Sequence, residues 1–497
     1  MKKAAVIPAM TLFSVVLLAS CSLPDFPPKA PDYYDTLPGT LEEGFFYARD
    51  TTNNLFYVVE AERVYDGSGK CEIWAEKGSG ITPEVAEEIA REYDDVIRPR
   101  IVDAFSEKNF TVDYDGEEYE FKDILDYANW LVNRDDGKLT ILLLDIKDGY
   151  KDQNDSYVAG YFYSGNFLQK GKNKIGNNIY CSNGRDMIYV DTDPGWKNNR
   201  TEVYATFAHE LQHLVNFATY VRLSEEGLKE ESYTDVWVNE GLSAYAEYLY
   251  LEDHPQDKRA WLSDSRNTIK TGNNFFVWGN YSDKPLAILD DYATVYLFFQ
   301  WLYLQAAPGL QSCIFRDISH SYYSDYHAVT SVVDNGWDIL LRTWLAANYY
   351  PQNTVYGYKG DPDLQNIINI NPIYIPGNEI SLYPGEGVYS IINGSFSPAA
   401  GTGINIRYAG LTAHTTTVDI SPPYSGDTLL TFNANDVNAN VPELRETGSL
   451  TGVSSSVTIS RTAAENQQPE KRTRPYVIDA QDLLGRDQDV PIRRLRR

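Results

Sequence analysis

Residues 206–216 read Thr-Phe-Ala-His-Glu-Leu-Gln-His-Leu-Val-Asn, and this stretch decides the fold. His209 and His213 are four residues apart, so on a helix both imidazoles leave the same face one turn apart. A helix is predicted because apolar residues recur at helical spacing, which also gives the helix a side that faces the core. The apolar positions are Val203, Phe207, Leu211, Leu214 and Val215.

Two imidazoles placed in this way can share one Zn²⁺ ion at about 2.0–2.1 Å each. Glu210 follows the first histidine and is turned toward the open side of such a metal, where it can take a proton from bound water. The alternative is an ordinary amphipathic helix with two histidines and a surface glutamate, since a five-residue pattern with two free positions also arises by chance. The chain has six histidines and two of them fall here, which favours the metal site.

A catalytic zinc ion needs three protein ligands and one position left for water. In one large branch of zinc peptidases the third ligand is a histidine six residues after the second, preceded by a glycine, but this chain has Thr219 and Asn216 there. The other source is a glutamate on a following helix. Glu240 lies 27 positions beyond the second histidine, in the stretch Trp-Val-Asn-Glu-Gly-Leu-Ser-Ala-Tyr-Ala-Glu at 237–247. The intervening loop, 224–235, is rich in charge and is not expected in the core.

These motifs resemble those of a known family. HELQH followed by NEGLSAYAE is similar to the gluzincin metallopeptidases, whose third zinc ligand is the glutamate of an NEG-type motif. Within that clan, AHELQHLVNF and WVNEGLSAYAEYL look most like the hyicolysin family of secreted bacterial metallopeptidases, and the preceding AGYFYSGNF and DMIYVDT are also similar. The resemblance covers roughly residues 137–305. It implies that His209, His213 and Glu240 bind one zinc ion and that Glu210 is the general base.

The resemblance also implies an α+β fold: a gluzincin-type catalytic domain with a mixed sheet packed on the zinc helix, followed by a helical subdomain. In gluzincins an edge strand of that sheet pairs with the substrate backbone, and Met187–Asp191 is the predicted edge strand.

Two further residues are candidates for the site. Glu247 lies two turns beyond Glu240 on the same helix face, so it can orient a ligand or bind substrate, or it can simply be exposed. Gluzincins often place an oxyanion-stabilising tyrosine at the start of a later helix, and the stretch 290–299 resembles that helix. Tyr292 is therefore the candidate, although the chain has 38 tyrosines and this one can equally pack in the core.

The N-terminus is typical of a bacterial lipoprotein signal. Two lysines precede an apolar run at 4–18, which is short for a membrane span, and Leu-Ala-Ser-Cys follows in register. We predict a signal peptide over 1–20, a lipidated Cys21 that attaches the protein to a membrane, and a proline-rich tether over 21–40. These features predict a lipid-anchored, extracytoplasmic protein of the bacterial envelope.

The formal net charge is −27, and removal of residues 1–20 makes it −29. This argues against a nucleic-acid partner and against electrostatic attraction to anionic lipid. Besides Cys21 the chain has Cys71, Cys181 and Cys313, so at most one internal disulfide is expected.

The sequence predicts five segments: the signal peptide, the tether, a zinc metallopeptidase domain over 41–350, a small β domain over 366–460, most simply a sandwich, and a flexible basic tail over 461–497. Within the catalytic domain we predict strands of a small sheet at 55–59 and 71–74, a helix capped by Thr82 with Pro83 at its first position, buried strands at 139–144 and 187–190, and apolar helices at 290–305 and 337–347.

Four aspartates lie in a segment rich in Gly, Asn, Asp and Tyr: Asp145, Asp148, Asp152 and Asp155. Carboxylates of this kind can bind Ca²⁺, but their spacing fits no calcium loop. A solvated acidic loop is the better prediction.

Together these features predict a zinc metalloendopeptidase that hydrolyses proteins or peptides. One alternative is an envelope lipoprotein that keeps the zinc fold but acts as an adhesin through its β domain. Another is an aminopeptidase, although related aminopeptidases carry a GAMEN-type segment that is not found before His209.

Overall fold

The computed structural model describes residues 36–53, 55–114, 116–151, 157–175, 178–230, 233–264, 269, 272–273, 275–278, 288–333, 335–373, 379–398, 402–413, 415–437, 445–450 and 475–476. The predicted signal peptide, Cys21 and the tether as far as residue 35 lie outside these residues. So does the predicted basic tail except for residues 475–476.

Strands and helices alternate in the first half of the described chain, and strands return near its end. The strands are β1 (Phe45–Asp50), β2 (Leu55–Tyr65), β3 (Cys71–Glu76), β4 (Lys108–Tyr114), β5 (Glu117–Asp123), β6 (Leu139–Leu144), β7 (Tyr157–Val158), β8 (Gly160–Phe162), β9 (Gly171–Ile175), β10 (Asn178–Ser182), β11 (Met187–Asp191), β12 (Gly272–Asn273), β13 (Glu379–Leu382), β14 (Gly387–Phe396), β15 (Ile406–Thr412), β16 (Thr417–Asp419), β17 (Tyr424–Asn433), β18 (Glu446–Ser449) and β19 (Pro475–Tyr476).

The helices are α1 (Pro83–Glu92), α2 (Arg98–Phe105), α3 (Ile124–Leu131), α4 (Arg200–Glu225), α5 (Val236–Leu251), α6 (Gln256–Ser263), α7 (Ile288–Gln305), α8 (Ile314–Ser319), α9 (His327–Val333), α10 (Trp337–Tyr349) and α11 (Pro362–Ile367). Short helical turns also occur at Tyr93–Ile97, Ser164–Phe167 and Thr192–Trp196. The predicted helices at 290–305 and 337–347 are confirmed as α7 and α10. The predicted cap of α1 is also confirmed, because the Thr82 hydroxyl accepts a hydrogen bond from the Val85 amide.

A mixed six-stranded sheet in the order β1-β2-β3-β6-β11-β8 forms one layer of the protein. Its central strands β3, β6 and β11 are parallel, and the outer strands pair antiparallel. The predicted α+β class is therefore confirmed. The strands expected to form a small sheet of their own, β2 and β3, instead belong to this larger sheet, because β3 pairs with β6.

Strand β6 shows how the sheet separates two cores. Leu139, Ile141 and Leu143 face the cluster that contains the helices, whereas Leu142 and Leu144 face a second cluster on the other side. This alternation follows from the two-residue period of a strand. Both faces of β6 are covered, which explains why its sequence is an almost unbroken apolar run.

The prediction that Met187–Asp191 is the edge strand is wrong. This strand, β11, pairs with β6 on one side and with β8 on the other, and β8 is the last strand of the sheet. The reason is that Gly160–Phe162 folds back antiparallel along β11. A strand of three residues carries too little alternation to be recognised from sequence.

Helix α4 runs beneath this sheet and carries the histidine motif. Residues 203–223 are all buried, so this part of the helix has no face toward water. Asn199 caps its start by accepting a hydrogen bond from the Glu202 amide. A helix buried on every side must hydrogen-bond its polar side chains to other groups of the protein. Several of these polar side chains belong to the histidine motif.

The predicted loop between α4 and α5 is present, but one of its charged residues is buried. The side chain of Lys229 donates hydrogen bonds to the carbonyls of Ser319 and Ser321 at 3.0 and 2.9 Å. Burial lowers the pKa of Lys229 to about 8. The expectation that this loop stays wholly outside the core is therefore wrong, because three backbone carbonyls, including that of Tyr323, replace water around the ammonium group.

The C-terminal strands form a five-stranded sheet in the order β12-β14-β17-β15-β16 and a two-stranded sheet of β13 and β18. The two sheets share a core that contains Leu382, Phe396 and Leu429. The other face of the larger sheet packs on the helices, where the Tyr389 hydroxyl donates to the Leu345 carbonyl at 2.7 Å. Strand β12 comes from the segment between α6 and α7, so the sheet is hydrogen-bonded to the helical part of the chain.

The described cysteines, Cys71, Cys181 and Cys313, are free thiols. Among the residues that the structure describes, none of the helices has both the length and the apolar character that a membrane span requires.

We expect Gly160→Ala to destabilise the protein by about 1–3 kcal/mol through overpacking. A methyl group at this position would lie 2.7 Å from Thr206 Cγ2 and 2.8 Å from the Tyr189 carbonyl oxygen, so β8 would have to move away from α4. Urea unfolding measures the loss. Gly309→Ala is the matched control, because a methyl group there meets nothing within 4 Å, and an equal loss in both variants would contradict the prediction.

Candidate metal centre

Three side chains from two neighbouring helices converge in the core. His209 and His213 come from α4 and Glu240 comes from α5, and all three are fully buried. The Nε2 atom of His209 lies 3.4 Å from one Glu240 carboxylate oxygen, and the Nε2 atom of His213 lies 3.7 Å from the other. One ligand atom from each residue lies within 4.8 Å of the others. The structure thus brings together the three predicted ligands.

The first histidine is oriented by Glu247. Its Nδ1 atom lies 2.6 Å from Glu247 Oε1. An ionised carboxylate can only accept, so with Glu247 ionised Nδ1 donates to it and Nε2 faces Glu240 without a proton. Such carboxylate contacts hold a metal-binding imidazole in the correct tautomer and orientation. Glu247 is buried, not exposed, because the ring of His209 and α6 cover it.

The second histidine is oriented by a hydroxyl group. The Nδ1 atom of His213 lies 2.9 Å from Ser243 Oγ. Both histidines therefore use Nδ1 for a hydrogen bond within the protein and present Nε2 to the same point. Two imidazole nitrogens and one carboxylate oxygen are a donor set that suits Zn²⁺ in a catalytic site.

A buried cation lies behind Glu247. The Nζ atom of Lys258 lies 3.5 Å from Glu247 Oε1 and 2.7 Å from Asp257 Oδ2. Burial raises the pKa of Glu247, and Lys258 opposes this rise. Burial alone would lower the pKa of Lys258, but the carboxylates of Asp257 and Glu247 outweigh it and the net shift is upward. The ammonium group thus remains charged beside the acidic cluster.

A fourth acidic group belongs to the same region. Burial, together with the charges of Asp257 and Glu247, raises the pKa of Glu202 to about 7, although Lys258 opposes the rise. Glu202 is seven residues before His209, two turns along the same side of α4. Acidic groups are therefore concentrated on this side of the site.

Glu210, the predicted base, is fully buried beside the edge strand. A methyl group built on Gly160 would lie 3.4 Å from Glu210 Cγ, so the missing side chain of that glycine leaves room next to Glu210. Strand β8 therefore borders the predicted base directly.

Tyr292 lies near the start of α7 and is 3% exposed. Its ring packs edge-on against Trp278 at a centroid distance of 5.0 Å, and Lys258 Nζ lies 5.7 Å from its ring centroid. Tyr292 and Glu247 thus contact the same lysine.

The structure describes two of the four aspartates considered for calcium. Asp145 is exposed. The carboxylate of Asp148 accepts hydrogen bonds from the backbone amides of Tyr150 and Val158 at 2.9 and 2.6 Å. Asp152 and Asp155 lie outside the described residues.

Sequence reasoning missed Ser243, Lys258 and Gly160. Ser243 had a usable signal, because it lies three residues after Glu240 and so on nearly the same helix face. Lys258 had none, since its contacts with the site arise from the way α6 packs against α5 and α7.

No protein-family model matches the chain. The chain is 28% identical over 299 residues to the neutral metalloprotease ShpI of Staphylococcus hyicus, and the aligned part covers 58% of each protein. The chain therefore matches little more than half the length of that relative. The relative is a metalloprotease by its name, and this chain contains a buried His-His-Glu group that could hold a metal ion.

We expect Glu247→Leu to weaken zinc binding about 10–100-fold, the usual cost of removing such a partner, because the acceptor for His209 Nδ1 is lost. Glu247→Gln should reduce zinc affinity less than Glu247→Leu does, since an amide oxygen can still accept that hydrogen bond. Competition with a chromophoric chelator measures the affinity. Glu225→Leu, at the exposed end of α4, is the control and should bind zinc like the parent; equal affinity in Glu247→Leu and the parent would contradict the assignment.

Proposed function

We propose that this protein is a zinc-dependent endopeptidase that hydrolyses peptide bonds in proteins or peptides. The observation that carries the proposal is the convergence of two Nε2 atoms and one carboxylate within 4.8 Å, with both Nδ1 atoms held by other groups. The similarity to a metalloprotease points to the same chemistry. The proposed assignment to the gluzincins, and within them to the hyicolysin family, rests on the motifs.

The proposed ligands are His209, His213 and Glu240. A zinc ion held by these three residues would supply a Lewis acid that polarises a carbonyl group and lowers the pKa of bound water to about 7. Glu210 accepts the proton of the attacking water and then gives it to the leaving amine. Since Glu210 is fully buried, bulk water is kept from its carboxylate and the proton passes between the reacting groups.

The edge strand β8 is the proposed binding strand for the substrate backbone. It is the last strand of the six-stranded sheet and borders Glu210. An extended peptide that pairs with a sheet edge gains main-chain hydrogen bonds with little demand on its sequence. This arrangement suits an endopeptidase that accepts internal segments of a chain.

Tyr292 is the proposed donor to the oxyanion that develops on the substrate carbonyl. Its packing against Trp278 and its position over Lys258 fix the ring.

We also propose that the protein is a lipid-anchored component of the bacterial envelope. This rests on the signal sequence and Cys21 alone.

We expect Glu210→Gln to bind zinc like the parent but to lose activity on casein by about 100-fold or more, because the substitution keeps the ligands and removes the base. Metal analysis and casein cleavage measure the two properties. Glu225→Gln is the control, the same change about 22 Å further along the same helix, and should stay active. A parent that holds zinc yet cleaves no member of a broad peptide library would overturn the endopeptidase proposal and favour a binding role.

We expect Tyr292→Phe to lower kcat by about 100-fold or more with little change in KM, because an oxyanion donor acts mainly in the transition state. Tyr296→Phe is the matched control. Tyr296 lies one turn later on α7, is also buried, and has its hydroxyl 2.5 Å from His254 Nδ1. Equal activity of Tyr292→Phe and the parent would remove Tyr292 from the mechanism.

A further inference from the structure

The two positions that the histidine motif leaves free are Leu211 and Gln212. Leu211 belongs to the hydrophobic core, as expected of an apolar helix residue. Gln212 is different, because its side chain is polar and fully buried. Its Oε1 atom lies 2.5 Å from the hydroxyl of Ser243 on α5. The contact joins a motif residue to the residue that holds the second histidine.

The Ser243 hydroxyl has three neighbours within hydrogen-bonding distance. They are His213 Nδ1 at 2.9 Å, Gln212 Oε1 at 2.5 Å and the Asn239 carbonyl oxygen at 3.1 Å. Ser243 is fully buried, so water does not compete for these contacts.

A hydroxyl group has one proton to donate and two lone pairs that accept. The Asn239 carbonyl and Gln212 Oε1 can only accept. Donation of the Ser243 proton to either of them makes His213 Nδ1 the donor to Ser243, and Nε2 of the same ring then faces Glu240 without a proton. If Ser243 instead donated to Nδ1, the ring proton would be on Nε2, and this nitrogen could not bind a metal ion.

We propose that Ser243 is a positioning residue that holds His213 in the metal-binding tautomer, and that Gln212 directs the Ser243 hydroxyl by accepting its proton. The inference rests on the proposed metal function. The inference gives Gln212, the second position that the motif leaves variable, a role in the site. The two ligand histidines are then held by different chemistry, His209 by a buried carboxylate and His213 by a neutral hydroxyl.

The test compares the zinc affinities of Ser243→Ala and the parent by competition with a chromophoric chelator. We expect affinity to fall about 10–100-fold, since His213 loses the acceptor that fixes its ring. Gln212→Met keeps the length of the side chain but removes the acceptor. It should reduce zinc affinity less than Ser243→Ala does, because the Asn239 carbonyl can accept the Ser243 proton. Ser243→Thr keeps the hydroxyl and should recover most of the affinity. Substitution of Co²⁺ provides a second readout, because a displaced imidazole changes the visible absorption of the ion.

Ser319→Ala is the matched control for general loss of packing. Ser319 is also a buried serine, and its hydroxyl donates to Asn216 Oδ1 on α4 at 3.1 Å rather than to a ligand. It should bind zinc like the parent, with thermal midpoints of the metal-free proteins confirming that both variants fold. Parent-like affinity in Ser243→Ala, or an equal loss in Ser319→Ala, overturns the inference. A parent that binds no zinc overturns the proposed function itself, which is a different result.

Discussion

The candidate site depends on how α5 packs against α4, because its three predicted ligands come from these two helices. Buried polar contacts hold the pair in register near the ligands. Asn216 Nδ2 donates to Asn239 Oδ1 at 2.7 Å, and Ser243 bridges to the second histidine and its neighbour. Each group would cost free energy in the core if it lost its partner. A shift of α5 along α4 would break several of these bonds at once, so the contacts that orient the ligands also define the helix packing.

The same constraint explains why α4 lacks the usual division into an apolar and a polar face. The sheet covers it on one side and α5 on another, so residues 203–223 are buried throughout. The two buried imidazoles are tolerated there because each has a hydrogen-bonding neighbour at Nδ1. Close approach of the sheet also requires Gly160, since a larger residue would collide with Thr206. The predicted base is therefore enclosed by backbone rather than by side chains on that side.

Charge is distributed unevenly around the centre. The carboxyl groups of Glu202, Glu247 and Asp257 lie on the side of the first histidine, where burial raises the pKa of Glu202 and Glu247 and Lys258 opposes the rise. The side of the second histidine carries the neutral pair of Ser243 and Gln212. The two imidazoles therefore experience different electrostatic fields, although both belong to the same sequence motif.

The sequence by itself determined the elements that depend on local periodicity and spacing. These include α4 with two histidines on one face, the cap at Thr82, the apolar strand β6 and the helices α7 and α10. It also singled out Glu240, because a third ligand was required and few stretches supply one on a following helix.

Only the tertiary structure decided which strand forms the edge of the sheet, which charged residues are buried and what holds each histidine. Strand order depends on pairing between distant segments, so β8 rather than β11 lies at the edge. Burial of Lys229 and Lys258 depends on carbonyls and carboxylates brought from other elements. Glu247 was equally compatible with an exposed helix face until the packing of α5 on α4 placed it against His209. Local sequence determines what a residue can do, whereas long-range packing determines which partner it meets.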